Sequence, residues 1–373
     1  MRKRVGQNGM GEGSGHSERL MLRRRTLIAG AGVGAAVTAG LVIRNQFRHP
    51  PAYYKAQLDG RFRRLVLSWP TSNTLVFAVA RARFFERYNL DVVPVEGART
   101  GRGTIADLRG GHCVGAVAPL LTWLDVFREG GLQARIVAGM QSGAFRLLLR
   151  RGVKVTRLDN VAGLRIAFTD RDMADRLFFS VMMRRKGIDP ESGVQWVVIS
   201  PDHVLDAARG GEIDAVVAHD PLAWQLLHGP NPLFSELANS TTGHYGERTN
   251  LALGLSDAFL QSDPAAAVAL VMALRAASGW IQAQPDQVAT LLAGQIAGMG
   301  ADELRAMLRH ETLGVSPVGA DLRVQVAQYV DEMKLLGRMP DTVGSSAYAR
   351  KICFNVLQAE APGQYWSLPV GPT

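Results

Sequence analysis

The chain has 373 residues, of which 47% are hydrophobic, so it can bury the cores of two ordinary domains and is not intrinsically disordered. Its formal net charge of +9 would suit a nucleic-acid-binding protein, but nine of the 42 Lys and Arg residues and only two of the 33 Asp and Glu residues lie in residues 1–50. The rest of the chain is therefore nearly neutral, which argues against a phosphate-tracking surface and against nucleic acid as a partner.

The basic first segment resembles a twin-arginine export signal. Arg24 and Arg25 precede an uncharged apolar run at 27–43, and a basic region before an apolar one is typical of signals read by the Tat export machinery. We predict that residues 1–43 are a signal that takes the protein to the periplasm. If this segment is not cleaved, it would instead anchor the protein to the inner membrane, because about 17 apolar residues nearly span a bilayer.

An alternation of strands and helices follows a predicted linker at 44–60. This alternation predicts an α/β protein with mostly parallel sheets flanked by helices. In the first half, strands are predicted at 65–69, 90–95, 111–118, 134–138 and 145–149, with helices at 75–88, up to 108 and from Pro119. In the second half, strands are predicted at 164–168, 194–199 and 215–218, with helices at 173–186 and 202–209.

The character of the chain changes after about residue 247. One last strand is predicted at 251–255, and helices are predicted at 264–283, 286–296, 301–308 and 321–336. Asp263 is the predicted cap of the first of these helices. The tail from 341 to 373 has many turn residues and no clear period, so no element is predicted there.

The chain has two cysteines, Cys113 and Cys353. Export could allow them to form a disulfide, but proteins that fold before Tat export do so in a reducing compartment. Cys113 also lies in an apolar run, where a buried free cysteine is common. We therefore predict two free thiols.

Candidate ligand-binding residues lie directly after the predicted strands. In open α/β sheets, ligands bind beyond the carboxyl ends of the strands, where helix N-termini present their N–H groups. The candidates in the first half are Trp69, Thr71, Ser72, Asn73, Pro119, Gln141 and Ser142. Those in the second half are Thr169, Arg171, His219 and Asp220. Two alternative interpretations stay open. Residues 71–73 could serve only as helix caps, and Trp69 could be a core residue.

No catalytic, metal-binding or cofactor-binding arrangement is predicted. His219 and Asp220 are neighbours on a strand, so their side chains point to opposite faces and do not form a dyad. The histidines lack zinc-ligand spacing, and the nucleophile-elbow, Walker and Cys-x-x-Cys motifs do not occur. These patterns indicate a protein that captures a ligand rather than changing it.

Four phrases in order resemble the nitrate/sulfonate/taurine group of bacterial ABC-transporter substrate-binding proteins. They are VAGLRIAF, KGIDPESGVQWVVIS, AARGGEIDAVVAHDP and LGLSDAFLQSDP, and ARFFERYNLDVVPVEG is similar in the first half. The resemblance covers about residues 63–290. It implies the type II periplasmic-binding-protein fold, with two α/β lobes joined by two crossing segments. It places lobe one at 61–152 plus 247–373 and lobe two at 153–246.

The resemblance implies a monomeric receptor that binds nitrate, a sulfonate, taurine or a related small molecule between its lobes and docks on an ABC permease in the inner membrane. Family members that bind nitrate or bicarbonate tend to carry a lysine just before the returning strand. Here the run is TNLALG at 249–254, and Arg248 is the nearest cation. Arg171 could supply a bidentate oxyanion donor from lobe two.

Two alternative functions stay open. One is an enzyme like the pyrimidine-precursor synthases of the thiamin pathway, which share this fold and need a lysine to hold pyridoxal phosphate. Lys154 and Lys186 are the only lysines of the predicted lobe two, and neither follows a strand. The other is a membrane-tethered ligand sensor, which an uncleaved segment 27–43 would favour.

Overall fold

A computed structural model of the protein describes residues 58–142, 145–169, 174–241, 243–311 and 315–357. All of these residues belong to one structural unit. The predicted signal at 1–43 lies outside the described residues, as do most of the predicted linker and Arg171.

The strands of the described residues form two five-stranded sheets. The strands of the first half are β1 (Arg63–Ser68), β2 (Leu90–Pro94), β3 (Gly115–Pro119), β4 (Ala134–Ser142) and β5 (Phe145–Arg150). Those of the second half are β6 (Arg165–Phe168), β7 (Gln195–Val198), β8 (Ala215–His219), β9 (Phe234–Asn239) and β10 (Thr249–Ser256). The sheet orders are β2-β1-β3-β10-β4 and β7-β6-β8-β5-β9.

Helices flank both sheets. Those before β10 are α1 (Leu75–Arg83), α2 (Gly101–Arg109), α3 (Leu120–Glu129), α4 (Ala174–Arg185), α5 (Val204–Arg209), α6 (Leu222–His228) and α7 (Gly243–Gly246). Those after β10 are α8 (Asp257–Ser262), α9 (Pro264–Ala283), α10 (Pro285–Leu291), α11 (Ala301–His310), α12 (Gly319–Leu335) and α13 (Ser345–Ile352).

The two sheets have the same internal arrangement. In each, one strand runs antiparallel to both of its neighbours: β10 between β3 and β4, and β5 between β8 and β9. The other strand pairs of the described residues, β1 with β2 and β3, and β6 with β7 and β8, are parallel. Below, lobe one is the first sheet with its helices and lobe two is the second sheet with its helices.

The chain crosses from lobe one to lobe two between β4 and β5, and it returns between β9 and β10. The predicted boundary at 152/153 is therefore placed too late. Phe145 pairs with His219 and Arg146 pairs with Asn239, so β5 belongs to lobe two. Sequence alternation did not reveal this crossing because β5 follows β4 without an intervening helix, and a strand that changes sheet has the same pattern as one that does not.

Helix α9 is the core helix of lobe one. It begins at Pro264, and the Asp263 carboxylate accepts a hydrogen bond from the Ala266 N–H at 3.1 Å, as the sequence predicts. Its length and apolar composition would also suit a membrane span, but most of its residues are buried, and it packs against α1 and β4. A core helix of this kind is apolar on nearly every side.

A close approach fixes Gly254 in the middle of β10. A Cβ atom at this position would lie 2.4 Å from the indole ring of Trp123, which is fully buried in α3. The Trp123 Nε1–H also donates to the Ala252 carbonyl at 3.0 Å. The glycine therefore makes room for the largest side chain of this core.

The apolar core continues from one lobe to the other. One cluster of buried side chains includes Trp123 and Leu124 of α3 together with Phe145 and Phe178 of lobe two. Helix α12 packs against both α3 and α4, and so it contacts both lobes. The lobes are joined here by apolar contact as well as by the two crossing segments.

Sequence analysis missed strand β9 and helices α6, α7, α8 and α13. Strand β9 carries polar residues and pairs only with β5 at the edge of its sheet, so it lacks an apolar alternation. Helix α13 lies in the tail that showed no period, and only Ala349 and Ile352 of it are buried. Strand β9 and helix α13 depend on tertiary contacts, which a local sequence pattern does not show.

Both cysteines are free and buried, as predicted. Burial raises the pKa of the Cys113 thiol to about 11 and that of Cys353 to about 12. Neither thiol is therefore ionised at neutral pH.

Candidate ligand-binding cleft

A cavity of about 420 Å³ lies between the lobes, at the carboxyl ends of strands from both sheets. Lobe one contributes the loops after β1 and β2 and residues from the segment 296–311. Lobe two contributes the loops after β6, β7 and β8 and the start of α6. Residues from both lobes therefore face one shared cavity.

Thr71, Ser72 and Asn73 line this cavity from lobe one. The Thr71 hydroxyl accepts a hydrogen bond from the Arg99 N–H at 2.7 Å, and the Thr71 N–H donates to the Arg99 carbonyl at 2.9 Å. None of the three caps α1, since the cap position is Thr74 and no side chain bonds there. In the described structure these residues therefore line the cavity and do not cap a helix.

Trp69 does not line the cavity. Its side chain is buried, its ring packs against Phe77 at 5.4 Å between centroids, and its Nε1–H donates to the Asn73 carbonyl at 2.6 Å. This is the core position that the alternative interpretation describes. Through this hydrogen bond, Trp69 supports the loop that carries Asn73 into the wall.

Pro119, Gln141 and Ser142 are also absent from the cavity wall. Pro119 lines a separate void of about 20 Å³ that shares Ser72 and Asn73 with the main cavity. Gln141 and Ser142 are buried at the crossing, where the Ser142 hydroxyl donates to the Gly246 carbonyl at 2.9 Å. In this structure they connect the crossing segments and do not meet the cavity.

Thr169, His219 and Asp220 line the cavity from lobe two. His219 Nδ1 lies 3.1 Å from both carboxylate oxygens of Asp175, a buried residue in the first turn of α4. Asp220 is bonded instead to Arg146, so His219 and Asp220 do not pair with each other, as strand geometry predicts.

Arg146 on β5 is a buried partner that the sequence did not reveal. Its Nε donates to both Asp220 oxygens at 3.0 and 2.9 Å, its Nη2 donates to Asp220 Oδ2 at 2.6 Å, and its Nη1 donates to Glu236 Oε2 at 2.5 Å. Burial disfavours the charge of Arg146, but the bonds to the two carboxylates outweigh it and raise the arginine pKa above its ordinary value.

Glu311 reaches Asp220 from the other side of the cleft. It follows α11 in lobe one and lines the cavity together with Asp220, whose carboxyl group acts on it electrostatically. Burial and the negative charge of Asp220 raise the pKa of Glu311 well above its ordinary value, and Arg146 only partly opposes this. This shift favours the protonated form of Glu311 in the cleft.

Other contacts also join the lobes beside the cavity. The Gln225 Nε2 atom on α6 donates to the Ala297 carbonyl of lobe one at 2.9 Å. The ring of Trp224, also on α6, lies 5.4 Å from that of His310 on α11. Together with Glu311, these residues close the cleft, so the described arrangement is one that can enclose a small molecule.

The cavity wall is equipped to hold a ligand by polar contacts. No lysine occurs among the described residues that line it, and both Lys154 and Lys186 lie elsewhere. Within the described ranges, no group of three or more His, Cys, Asp or Glu residues could hold a metal ion. The pairing of His219 with Asp175 holds the imidazole at the wall.

The fold is shared with solved binding proteins. The alkanesulfonate-binding protein of Xanthomonas axonopodis pv. citri, bound to MOPS, has a TM-score of 0.63 and 18% identity, over 77% of this chain and 97% of that one. The periplasmic aliphatic sulphonate-binding protein of Escherichia coli has a TM-score of 0.64 and 16% identity, over 80% and 94%. The periplasmic nitrate-binding protein of Synechocystis PCC 6803 has a TM-score of 0.62 and 13% identity, over 78% and 86%.

These similarities confirm the two-lobed fold of periplasmic binding proteins, and all three relatives are binding proteins rather than enzymes. No curated protein sequence gives a significant match. A family model does match, and it covers more than half of the chain. The match spans residues 68–297, and the chain accordingly belongs to the NMT1-like family.

Proposed function

We propose that the protein is an extracytoplasmic solute-binding receptor of an ABC importer, which captures a small molecule between its two lobes. The observation that carries the proposal is the cavity of about 420 Å³ lined by the carboxyl ends of both sheets. Thr71 approaches it from lobe one, and Thr169 and His219 approach it from lobe two. Small-molecule sites have volumes of about 300–1,000 Å³ and are usually formed at such junctions.

Ligand capture depends on movement between the lobes. On one side of the cleft they touch through a few polar and ring contacts, among them Gln225 with Ala297. Elsewhere they share an apolar core, and the chain crosses between them twice. When the polar and ring contacts separate, the cavity opens to a ligand. When the lobes close around the ligand, water is excluded and each polar contact is strengthened.

The remaining features of the proposal come from the sequence and from the family of binding proteins it resembles. That resemblance supports nitrate, a sulfonate, taurine or a related small molecule as the ligand and a permease of the inner membrane as the partner. The twin-arginine segment supports export by the Tat machinery to the periplasm, where the receptor acts as a monomer.

Ligand capture is tested with protein purified from its own periplasm. Native mass spectrometry should show a bound small molecule, and that compound should raise the melting temperature of the stripped protein. A ligand at 100 times its Kd stabilises the native state by about 2.7 kcal/mol. A Thr71→Ala variant should lose part of this stabilisation, whereas Thr290→Ala, on the exposed face of α10, should keep it. No bound metabolite and no response to anions, sulfonates, pyrimidines or amino acids would contradict the proposal.

Export is tested separately with substitutions that keep the charge. Changing Arg24 and Arg25 together to lysine should retain the protein in the cytoplasm, whereas the same change at Arg2 and Arg4 should not. Cell fractionation measures this difference. The mass of the periplasmic protein then shows whether the apolar run at 27–43 is removed, and its retention would favour a tethered sensor.

A further inference from the structure

We propose that the ligand of this cleft carries a cationic nitrogen group, such as an ammonium or amidinium, which Glu311 of lobe one and Asp220 of lobe two bind together. The inference rests on the proposed function, since it names the chemical class that the cavity selects. It favours, within the classes implied by the resemblance, a ligand with an amino group over a simple anion such as nitrate.

Carboxyl groups are in excess at one side of the cavity. Asp220 and Glu311 both line it, and Glu236 lies directly behind them. The cation that faces Asp220 is Arg146, which bonds Asp220 and Glu236. One guanidinium therefore faces three carboxyl groups, and a second positive charge would be stabilised there.

Among the described residues, the basic side chains of the wall are already paired with carboxylates. Arg99, which lines the cavity from lobe one, donates from Nε to Asp107 Oδ2 at 2.7 Å. The His219 imidazole of lobe two faces the buried carboxylate of Asp175. An anionic ligand would have to compete with these carboxylates for its partners among the described residues.

Glu311 and Asp220 lie on opposite sides of the cleft. Burial and the charge of Asp220 raise the pKa of Glu311 well above its usual range, which favours a proton on Glu311. If that proton were lost, two adjacent carboxylates would repel each other and favour opening. A cationic group between them replaces the proton, so the ligand itself joins the lobes.

The rest of the wall fits an apolar ligand body. Leu75 of α1, Leu222 of α6, and Ile296 and Met307 of lobe one line the same cavity. A cationic head beside Glu311 and an apolar body against these side chains would fill both parts of it. Such a division into an apolar lining with few polar groups is usual for ligand cavities.

Binding of a cation at Glu311 is coupled to the release of a proton. Glu311 binds a proton in the empty receptor and loses it when a cation takes that place, so cation binding releases protons. Affinity should therefore rise with pH until Glu311 is ionised in the free receptor. The charged groups that act on Glu311 are Asp220 and Arg146, with Glu236 bonded behind them to Arg146. The ion pairs of Arg146 with Asp220 and Glu236 hold one guanidinium and two carboxylates near Glu311.

The test uses three probes of nearly equal shape: benzamidine, benzamide and benzoate, which are cationic, neutral and anionic at neutral pH. We expect benzamidine to raise the melting temperature of the stripped protein more than benzamide, and benzoate to have no effect. Calorimetric titration with benzamidine in buffers of different ionisation enthalpy should show net proton release, because the buffer takes up that proton.

Glu311→Gln is the diagnostic variant, because it keeps the size and the hydrogen bonding but removes the ionisable group. Its benzamidine affinity at pH 8 should fall about tenfold, and its proton release should disappear. Glu303→Gln, on the exposed face of α11, should match the wild type in both measurements.

The inference is overturned if benzoate stabilises the protein as much as benzamidine, if benzamidine has no effect, or if wild-type binding releases no proton. Nitrate, or a sulfonate without an amino group, recovered from the periplasmic protein would also overturn it, while supporting the receptor function. If neither probes nor a wider library bind and no metabolite is recovered, the receptor function fails as well.

Discussion

Replacement of Glu332 by glutamine removes the acceptor of a buried ion cluster that joins the lobes. Glu332 on α12 is 2% exposed and accepts from Arg248 Nη1 at 2.7 Å and from Arg248 Nη2 at 3.2 Å. It also accepts from Arg185 Nη2, at the end of α4 in lobe two, at 3.0 Å. In the variant, Arg248 stays buried over the Tyr329 ring, 3.9 Å from its centroid, without its carboxylate.

Removal of one partner of a buried ion pair costs about 3–5 kcal/mol. We expect a value near the lower end, about 3 kcal/mol, because the glutamine carbonyl still accepts one hydrogen bond and the Tyr329 ring still faces the cation. In a domain of 150–250 residues this loss lowers the melting temperature by about 6–12 °C, and the larger chain should respond at the low end.

The assay is urea unfolding of wild type and variants, with calorimetry as a second measurement. Arg185→Gln is the matched comparison, because the Arg185 side chain is 42% exposed and its loss should cost only about 0–1 kcal/mol. Glu303→Gln on exposed α11 should be neutral. A loss below about 1 kcal/mol for Glu332→Gln, or an equal loss for Arg185→Gln, would refute the assignment of the buried charge to Arg248.

Three further predictions follow from individual contacts. Because the folded state holds the Glu311 proton to higher pH than the unfolded state, the free energy of unfolding should fall as pH rises above the ordinary glutamate pKa of 4.5. Denaturant titrations should show that Glu311→Gln removes this fall, and a parallel decline in the variant would contradict the proton assignment. Gly254→Ala should cost about 1–3 kcal/mol in the same titrations, because its Cβ would meet Trp123, and a neutral result would contradict that close approach. A thiol reagent should label Cys113 and Cys353 only after unfolding, and rapid labelling of the native protein would show that one is accessible.

Sequence patterns predicted those elements that are determined by residues close to them in the chain. Helix Pro264–Ala283 has its cap, its first-turn proline and its apolar composition within one segment, and the structure places it there. Strand Phe145–Arg150 was also predicted, but its sheet was not. The sheet depends on pairing with β8 and β9, more than 60 positions later in the chain, and no local pattern reports such pairing.

Sequence patterns likewise predicted part of the candidate site. The rule that ligands lie beyond strand ends found Thr71, Ser72, Thr169 and His219, which line the cavity. It could not distinguish Trp69, because a tryptophan at a strand exit can turn either to the core or to a cavity, and here it packs on Phe77. Residue type and spacing are the same in both cases.

The buried partners of the site were not predictable, because each is paired across a long sequence separation. Arg146 meets Asp220 74 positions later, and Asp175 meets His219 44 positions later. Glu311 follows a helix of lobe one and meets Asp220 only because the two lobes are folded face to face. Polar residues of this kind are indistinguishable in sequence from solvated surface residues until the fold brings them together.

The equivalence of the two sheets shows where the chemistry of the cleft lies. Arg146 lies on β5, the antiparallel strand of lobe two. It pairs with Ala218, the second-to-last residue of β8. The corresponding position of lobe one is Ala252, which pairs with Ala118, one residue before the last of β3. The shared strand order therefore provides the same backbone on both sides of the cleft but a guanidinium on only one. Because Arg146 fixes Asp220 beside the cavity, the charged end of a ligand is expected to lie on lobe two, and lobe one supplies hydroxyl groups and the closing contact from Glu311.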